Sequence, residues 1–288
     1  MSEISVIIPV LNDPLIEQVV SSVRRELAEE EIIVAGYDGY GFLRRRDVRF
    51  IDTQGPVTAG KARNLGIQAA RGQWLFFVDA DCLVQEGWAE HLVYHLAAGK
   101  MVVGGGVGSP THNYWILAYN LSMFHEFLSD QHPGFKRYLP TLNLAIRRDV
   151  VERVGLMDES LQRGQDIDWT IRMALAGYQL YFEPRAVVIH HPGRSNLRTI
   201  WQYWVRSGHF NLRNRLRYAE YYKTPLRLFA HPFLVQALSP LIAAYITAGI
   251  FGEAISRLRY LHTVPVIYLT KIAWCLGAAR ELKGHKAC

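Results

Sequence analysis

The chain has 288 residues, half of them hydrophobic and 20% charged, with a net charge of +6 and a pI near 9.2. That length and apolar content suit one large domain, or one and a half, with a real core, and they exclude an intrinsically disordered chain. The three cysteines, Cys82, Cys275 and Cys288, have no paired spacing and suggest neither a zinc cluster nor a disulfide framework, while the basic balance suits an anionic partner such as a nucleotide diphosphate, a membrane surface or nucleic acid.

The N-terminus, Met1-Ser2-Glu3-Ile4, enters a strand directly and lacks the basic region and apolar core of a signal peptide, so a reducing, cytosolic setting is expected. Ile4 to Val10 is a β-branched run followed by Asn12-Asp13-Pro14, which predicts a buried first strand running into a loop. Leu15, Val19, Val23 and Leu27 then recur at helical spacing, and Glu31 to Ala35 is a second strand that leads into the glycine-rich turn Gly36 to Gly41. This is a strand, helix, strand unit. Val48 to Asp52 predicts a third strand. Gly60-Lys61-Ala62-Arg63-Asn64-Leu65-Gly66 opens a helix whose first turn presents N–H groups and two cations, a setting suited to a diphosphate.

Trp74 to Asp81 organises the rest: five large apolar residues end in Asp79-Ala80-Asp81. Such a run predicts a strand covered on both faces, and sheets of this kind bind ligands beyond the carboxyl ends of their strands. Two carboxylates placed there repel one another unless a cation sits between them, and hard oxygen donors favour Mg²⁺ or Mn²⁺. Downstream, the pattern predicts helices over 86–98, 114–128, 148–154 and from Gly164 to Gly177, and strands over 101–107, 142–146 and 186–190.

In this order the segments Ser5-Val6-Ile7-Ile8-Pro9-Val10, Gly60 to Gly66, Val78-Asp79-Ala80-Asp81, Asn143 to Arg148 and Gly164-Gln165-Asp166-Ile167-Asp168-Trp169 resemble family 2 glycosyltransferases of the GT-A fold over roughly residues 4 to 210. The resemblance implies an α/β domain with a Rossmann-like, mostly parallel sheet flanked by helices, and metal-dependent transfer with inversion from a nucleotide-diphospho-sugar, a UDP-sugar first, to a glycan or lipid-linked acceptor. It implies Asp81 as a direct metal ligand with Asp79 nearer the sugar or ribose, His190 as a further metal ligand, and Asp166 as the catalytic base. It also implies donor contacts from Pro9, Asp13, Lys61 and Arg63, and acceptor-side roles for Asn143, Asp168 and Trp169. Two departures stand out. Gln165 occupies a position that is usually Glu, and the Asp expected directly at the end of the second strand is displaced to Asp38, leaving Asp38 or Asp13 to hold the base.

The last third predicts a different region. Trp201 to Tyr222 alternates aromatic and basic residues, as interfacial helices do. Pro232 to Gly252 runs about 21 residues without a formal charge, and Val264 to Ala279 is a second apolar segment broken by Lys271. The expected division is a catalytic domain over 1–222 and a membrane-associated helical appendage over 223–288, held at the cytoplasmic face as an interfacial or spanning hairpin. A soluble appendage or homodimer interface is the alternative. With no recognised nucleic-acid module, nucleic acid is not an expected partner. Two other readings compete: a catalytically silent sugar-nucleotide-binding scaffold, supported by Gln165 and Asp38, and a nucleotidyltransferase, which would place a glycine-rich loop where Leu11-Asn12-Asp13-Pro14 stands.

Overall fold

The computed structural model describes residues 3–45, 47–224 and 231–285, so Met1, Ser2, Cys288 and the 225–230 part of the expected C-terminal region lie outside the described residues. The chain forms two compact units: Met1–Gly108 with Glu126–His191, and Ser109–His125 with Pro192–Cys288. The expected boundary at residue 222 therefore moves. Trp201 to Tyr222 belongs with the C-terminal helices, and so does the excursion Ser109–His125.

The first unit is a mixed sheet with flanking helices. Its strands are β1 (Ile4–Leu11), β2 (Glu31–Tyr37), β3 (Arg49–Asp52), β4 (Trp74–Val78), β5 (Cys82–Val84), β6 (Val102–Gly108), β7 (Gly134–Lys136), β8 (Asn143–Arg147) and β9 (Leu180–His190), in the spatial order β3-β2-β1-β4-β8-β6-β9-β5 with β7 also on β9. The first four strands pair in parallel, as does β6 with β9. The strand β8 is inserted antiparallel between β4 and β6, and β5 and β7 pair antiparallel with β9. Parallelism is thus complete in the N-terminal half and interrupted beyond β4.

The strand β4 shows why an unbroken apolar run was needed at the centre. Successive side chains point to opposite faces. Phe76 meets Trp88 of α3 (Trp88–Ala97) edge-on at 5.5 Å, and Phe77 meets Trp169 of α6 (Gln165–Leu175) edge-on at 5.6 Å. Both faces are sealed, so the strand's first free space is past Val78, where Asp79 begins. On the other side of β1, α2 (Ala59–Ala69) lies close to the sheet because Gly66 has no side chain: a Cβ there would fall 2.5 Å from Ile7 Cγ2. This close approach brings the first turn of α2, with Arg63, to the same sheet edge.

In the second unit, the helix Leu197–Arg217 packs along the helix Val264–His285. Gly208 and Gly277 permit the crossing, since a Cβ would meet Trp274 O at 2.0 Å or Val205 O at 1.9 Å. Lys271, which breaks the apolar pattern of the second helix, is buried there. Its Nζ donates to Ser122 O at 2.7 Å and lies 4.5 Å from the Trp204 ring centroid. The uncharged stretch Pro232 to Gly252 is not one helix. It breaks into Pro232–Ala237 and Ser239–Gly252 around Leu238, with Pro240 at the start of the second. Pro240 has no N–H to carry the helix through, and it fits the first turn of a new one. Fourteen residues rise about 21 Å, short of a hydrocarbon core of about 30 Å, so this stretch is corrected from a candidate span to a short helix. By length and composition Ile255–Lys283 passes as a span, with mean hydropathy 1.2, but half of its apolar window is buried within the protein and its first nine residues, Ile255–Thr263, form a 3₁₀ helix.

Candidate active site

The site forms beyond the carboxyl ends of β1, β4 and β9. Asp13 follows β1, Asp79 and Asp81 follow β4, and His190 ends β9. The loop after β4 is tightened by the Cys82 N–H donating to Asp79 O at 3.0 Å, and it is tied to β9 by the His191 N–H donating to Asp81 O at 2.8 Å. These two bonds place Asp81 Oδ2 at 3.4 Å from His190 Nε2. Asp13 is oriented by the Leu15 N–H, which donates to its Oδ1 at 2.9 Å. Burial pushes the Asp13 carboxyl above its ordinary pKa against that hydrogen bond, and the negative charges of Asp81 and Asp79 push it the same way. The charges of Asp13, Asp79 and Asp81 thus act on one another, and Asp81 lies with His190 in a group of ligand atoms all within 4.8 Å of one another.

Arg63 is buried and forms an ion pair through its Nη2 with Asp79 Oδ1. Its Nε has no partner among the described residues, and neither do the buried Asn12 Oδ1 and Thr141 Oγ1. Unsatisfied buried polar atoms are uncommon and costly. A polar ligand among these carboxylates is the economical explanation.

Asp166 stands at the second position of α6, whose cap is Gly164 in the left-handed conformation, so Asp166 is not the helix cap. The backbone of Ile167 and of Thr141 favours its charged form. Burial raises its pKa, Arg63 opposes that rise, and Asp79 adds to it. The charges of Arg63 and Asp79 both act on Asp166, which sets this carboxyl near the acidic cluster. The preceding Gln165 is buried, and its Nε2 donates to Leu161 O at 2.7 Å. A glutamate could not make that bond while ionised, which gives this departure a structural reason.

Other expected residues take different places. Asn143 is fully buried: its Oδ1 accepts from Trp88 Nε1 at 2.8 Å and its Nδ2 donates to Gly106 O and Ala186 O at 3.0 and 2.7 Å. Asp168 is buried and bound to Arg172 Nε at 2.9 Å, while Trp169 is fully buried with Nε1 donating to Gly155 O at 2.8 Å. The polar groups of these three residues hold β8 and α6 in place. The two carboxylate oxygens of Asp38 accept from Phe42 N at 3.1 Å and Leu43 N at 2.8 Å and so fold their own loop. Lys61 is exposed in the first turn of α2, where Thr58 caps the helix by accepting from Lys61 N at 3.2 Å. Pro9 is half-buried near the end of β1, in register with Ala35. The residue missed was Cys82, which lies with Asp81 and His190 in a group whose donor atoms are all within 4.8 Å of one another. A test for paired cysteine spacing cannot find it, since its neighbours in the group are an acid and an imidazole from another strand.

Comparison with known proteins bears on the family and the fold. Among curated proteins, glycosyltransferase AglE of Haloferax volcanii is 35% identical over 134 residues, covering 46% of this chain and 44% of its own length, so the match spans less than half of that relative. Among solved structures, the mannosyltransferase PcManGT from Pyrobaculum calidifontis, in complex with GDP-Man and Mn²⁺, has a TM-score of 0.62 at 18% identity over 99% of this chain and 88% of that one. GalNAc-T7, with UDP, GalNAc and Mn²⁺, has a TM-score of 0.51 at 21% identity over 66% and 44%. These identities speak to the shared GT-A fold alone. The model of the family described as glycosyl transferase family 2 matches residues 5–155, more than half of the sequence and all of the segment that carries Asp13, Arg63, Asp79 and Asp81, and the chain belongs to that family.

Proposed function

We propose that the protein transfers a glycosyl group from a nucleoside-diphosphate sugar to an acceptor hydroxyl with inversion, and that a divalent cation is required. The observation that carries this reading is the convergence of Asp13, Asp79, Asp81, His190, Arg63 and Asp166 at one sheet edge, around buried polar atoms without partners. Asp81 and His190, with Asp79, would hold Mg²⁺ or Mn²⁺, which when bound supplies positive charge to the departing diphosphate. Arg63 adds a fixed cation to the same diphosphate or to the ribose, with its Nε as the unspent donor. Asp166 accepts the proton of the acceptor hydroxyl as that oxygen bonds to the anomeric carbon. The bond from the anomeric carbon to the diphosphate breaks, and the nucleoside diphosphate leaves on the opposite face. A silent scaffold is disfavoured because Gln165, one of its two supports, has a structural reason, and the proposed base beside it is intact.

A UDP-sugar is the first donor to test. GDP-mannose belongs beside it, because solved proteins of this fold carry both nucleotides. A panel of nucleotide-sugars, scored by nucleoside diphosphate release with Mn²⁺, is expected to give turnover with one donor class and background after chelation. Equal release with and without chelator overturns the metal requirement, and no release from any donor supports the scaffold.

The acceptor is proposed to be a glycan or lipid-linked molecule met at a membrane surface. In the second unit Leu238, Leu241, Tyr245 and Ala248 recur at three- and four-residue spacing on one helix face and are exposed, Leu241 by 69% and Tyr245 by 82%. Arg206, Arg215 and Arg217 are exposed in the same unit and suit anionic headgroups, whereas Arg213, also exposed, is ion-paired with the buried Glu281. An interfacial helix, inserted by its apolar face, fits the 14-residue length better than a span. Full-length protein is expected to co-sediment with anionic vesicles and to stay bound through a high-salt wash. The Leu241→Ser, Tyr245→Ser double variant should lose about 1.5–3 kcal/mol per side chain and be released by salt. Co-sedimentation that is equal for the variant, or absent for the wild type at low salt, removes the membrane from this reading.

A further inference from the structure

The short strand β5 pairs antiparallel with the end of β9, and the register sets Cys82 directly opposite His190. Cross-strand partners project from the same face of a sheet, so the thiol and the imidazole point the same way, and Asp81 precedes the thiol in the chain. One ligand atom from each of the three residues lies within 4.8 Å of the other two, a spacing that a small shift of side chains would close around one ion. Asp81 Oδ2 and His190 Nε2 are 3.4 Å apart, Cys82 Sγ and Asp81 Oδ1 are 3.7 Å apart, and all three groups fall within 4.8 Å. Tetrahedral zinc, with bonds of about 2.0–2.3 Å, separates its ligand atoms by roughly 3.3–3.8 Å.

We infer that Asp81, Cys82 and His190 form a thiophilic metal site, one that takes Zn²⁺ or Co²⁺ with Cys82 as a sulfur ligand and competes with Mg²⁺ or Mn²⁺ for the same place. A hard ion gains little from sulfur, whereas a borderline ion gains a strong bond once the thiol proton passes to solvent. The thiol is fully buried, with its Sγ 3.7 Å from Asp81 Oδ1. Three protein ligands leave a fourth position open on zinc. The site would therefore hold Zn²⁺ in a geometry set by Cys82 rather than by the donor diphosphate, and zinc would act as an inhibitor of the transferase. The inference rests on Asp81 and His190 being metal ligands, as proposed above.

The test is a Co²⁺ titration of the full chain in a phosphine reductant, followed by absorption. Wild type is expected to develop a near-ultraviolet sulfur-to-cobalt charge-transfer band that saturates at one ion per chain. The band should be absent from Cys82→Ser and Cys82→Ala, and it should persist in a Cys275→Ser, Cys288→Ser variant whose only thiol is Cys82. Calorimetry should show Zn²⁺ affinity falling about tenfold or more in Cys82→Ser, with Mn²⁺ affinity held within about twofold. Co²⁺ binding without the band in wild type overturns the sulfur ligand, as does unchanged Zn²⁺ affinity in Cys82→Ser. Failure to bind Co²⁺, Zn²⁺ or Mn²⁺ at all instead overturns the assignment of Asp81 and His190 on which the inference stands.

Discussion

Asp166→Asn is expected to lower kcat by roughly 10²- to 10⁴-fold, the range of general-base catalysis, while leaving donor KM nearly unchanged. The amide keeps the shape of the carboxylate and retains one acceptor oxygen, so the start of α6 should keep its fold. What it loses is the acceptor for the hydroxyl proton. Because burial raises the pKa of Asp166, the acid limb of kcat/KM in the wild type should lie above the ordinary aspartate range. The sign follows from which form works. The ionised carboxylate is the base, so activity falls as pH drops through the raised pKa. The same shift acts oppositely on stability: a raised carboxyl pKa contributes stability that is complete below the unfolded value and is lost as pH rises through the folded one. Asp166 therefore makes the unliganded protein less stable at the pH where it is competent, a cost that Asp166→Asn removes. A kinetic pH profile and a denaturant titration of both proteins check the two claims, and an Asp166→Asn enzyme with wild-type turnover ends the base assignment.

The residues legible in the sequence were those whose chemistry conflicts with their surroundings. Asp79 and Asp81 end a strand whose every other side chain is apolar, and Arg63 sits among small residues at a helix start. Such conflicts mark function, because no packing argument explains them. Asn143, Asp168 and Trp169 lie in the same motifs, and each settles a structural debt: Asn143 pairs three buried groups, Asp168 anchors Arg172, and Trp169 covers Phe77. A sequence records that a polar residue is present and not whether its hydrogen bonds are already spent. The three-residue strands β5 and β7 were invisible because periodicity needs a longer window. Without β5 the facing of Cys82 on His190 could not be seen. The break at Leu238 had a visible signal in Ser239-Pro240, which an uncharged-length criterion overrode. The grouping of Tyr114–Phe124 with the C-terminal helices has no local signal, since it depends on contacts such as Ser122 Oγ with Thr270 Oγ1, 2.6 Å apart and 148 residues distant in sequence.

Asp81→Asn is expected to cost several kcal/mol of transition-state stabilisation, on the order of 10³-fold in kcat/KM, because it removes a charged metal ligand from the leaving-group side of the reaction. Its effect on the unliganded protein should be the reverse of harmful. Asp81 helps to raise the Asp13 pKa by charge repulsion, and a raised carboxyl contributes stability only until pH climbs past its folded pKa, so at neutral pH the crowding is a cost. Asp81→Asn relieves it and should melt no lower than wild type. Asp79→Asn should behave differently although it removes the same charge. Asp79 is the ion-pair partner of Arg63, whose side chain is only 6% exposed, and its loss strands a buried guanidinium. A fully buried pair broken in this way costs about 3–5 kcal/mol; with Asp79 31% exposed, solvent screening leaves a smaller but clear destabilisation. The two variants thus separate the roles of the two carboxylates. Melting curves with and without Mn²⁺ should show a metal-dependent rise in Tm for wild type, no rise for Asp81→Asn, and a lowered metal-free Tm for Asp79→Asn alone. A wild-type Mn²⁺ shift and wild-type kcat/KM in Asp81→Asn would remove Asp81 from the metal site. Equal metal-free melting of Asp79→Asn and wild type would mean that Arg63 does not depend on Asp79 for its charge balance.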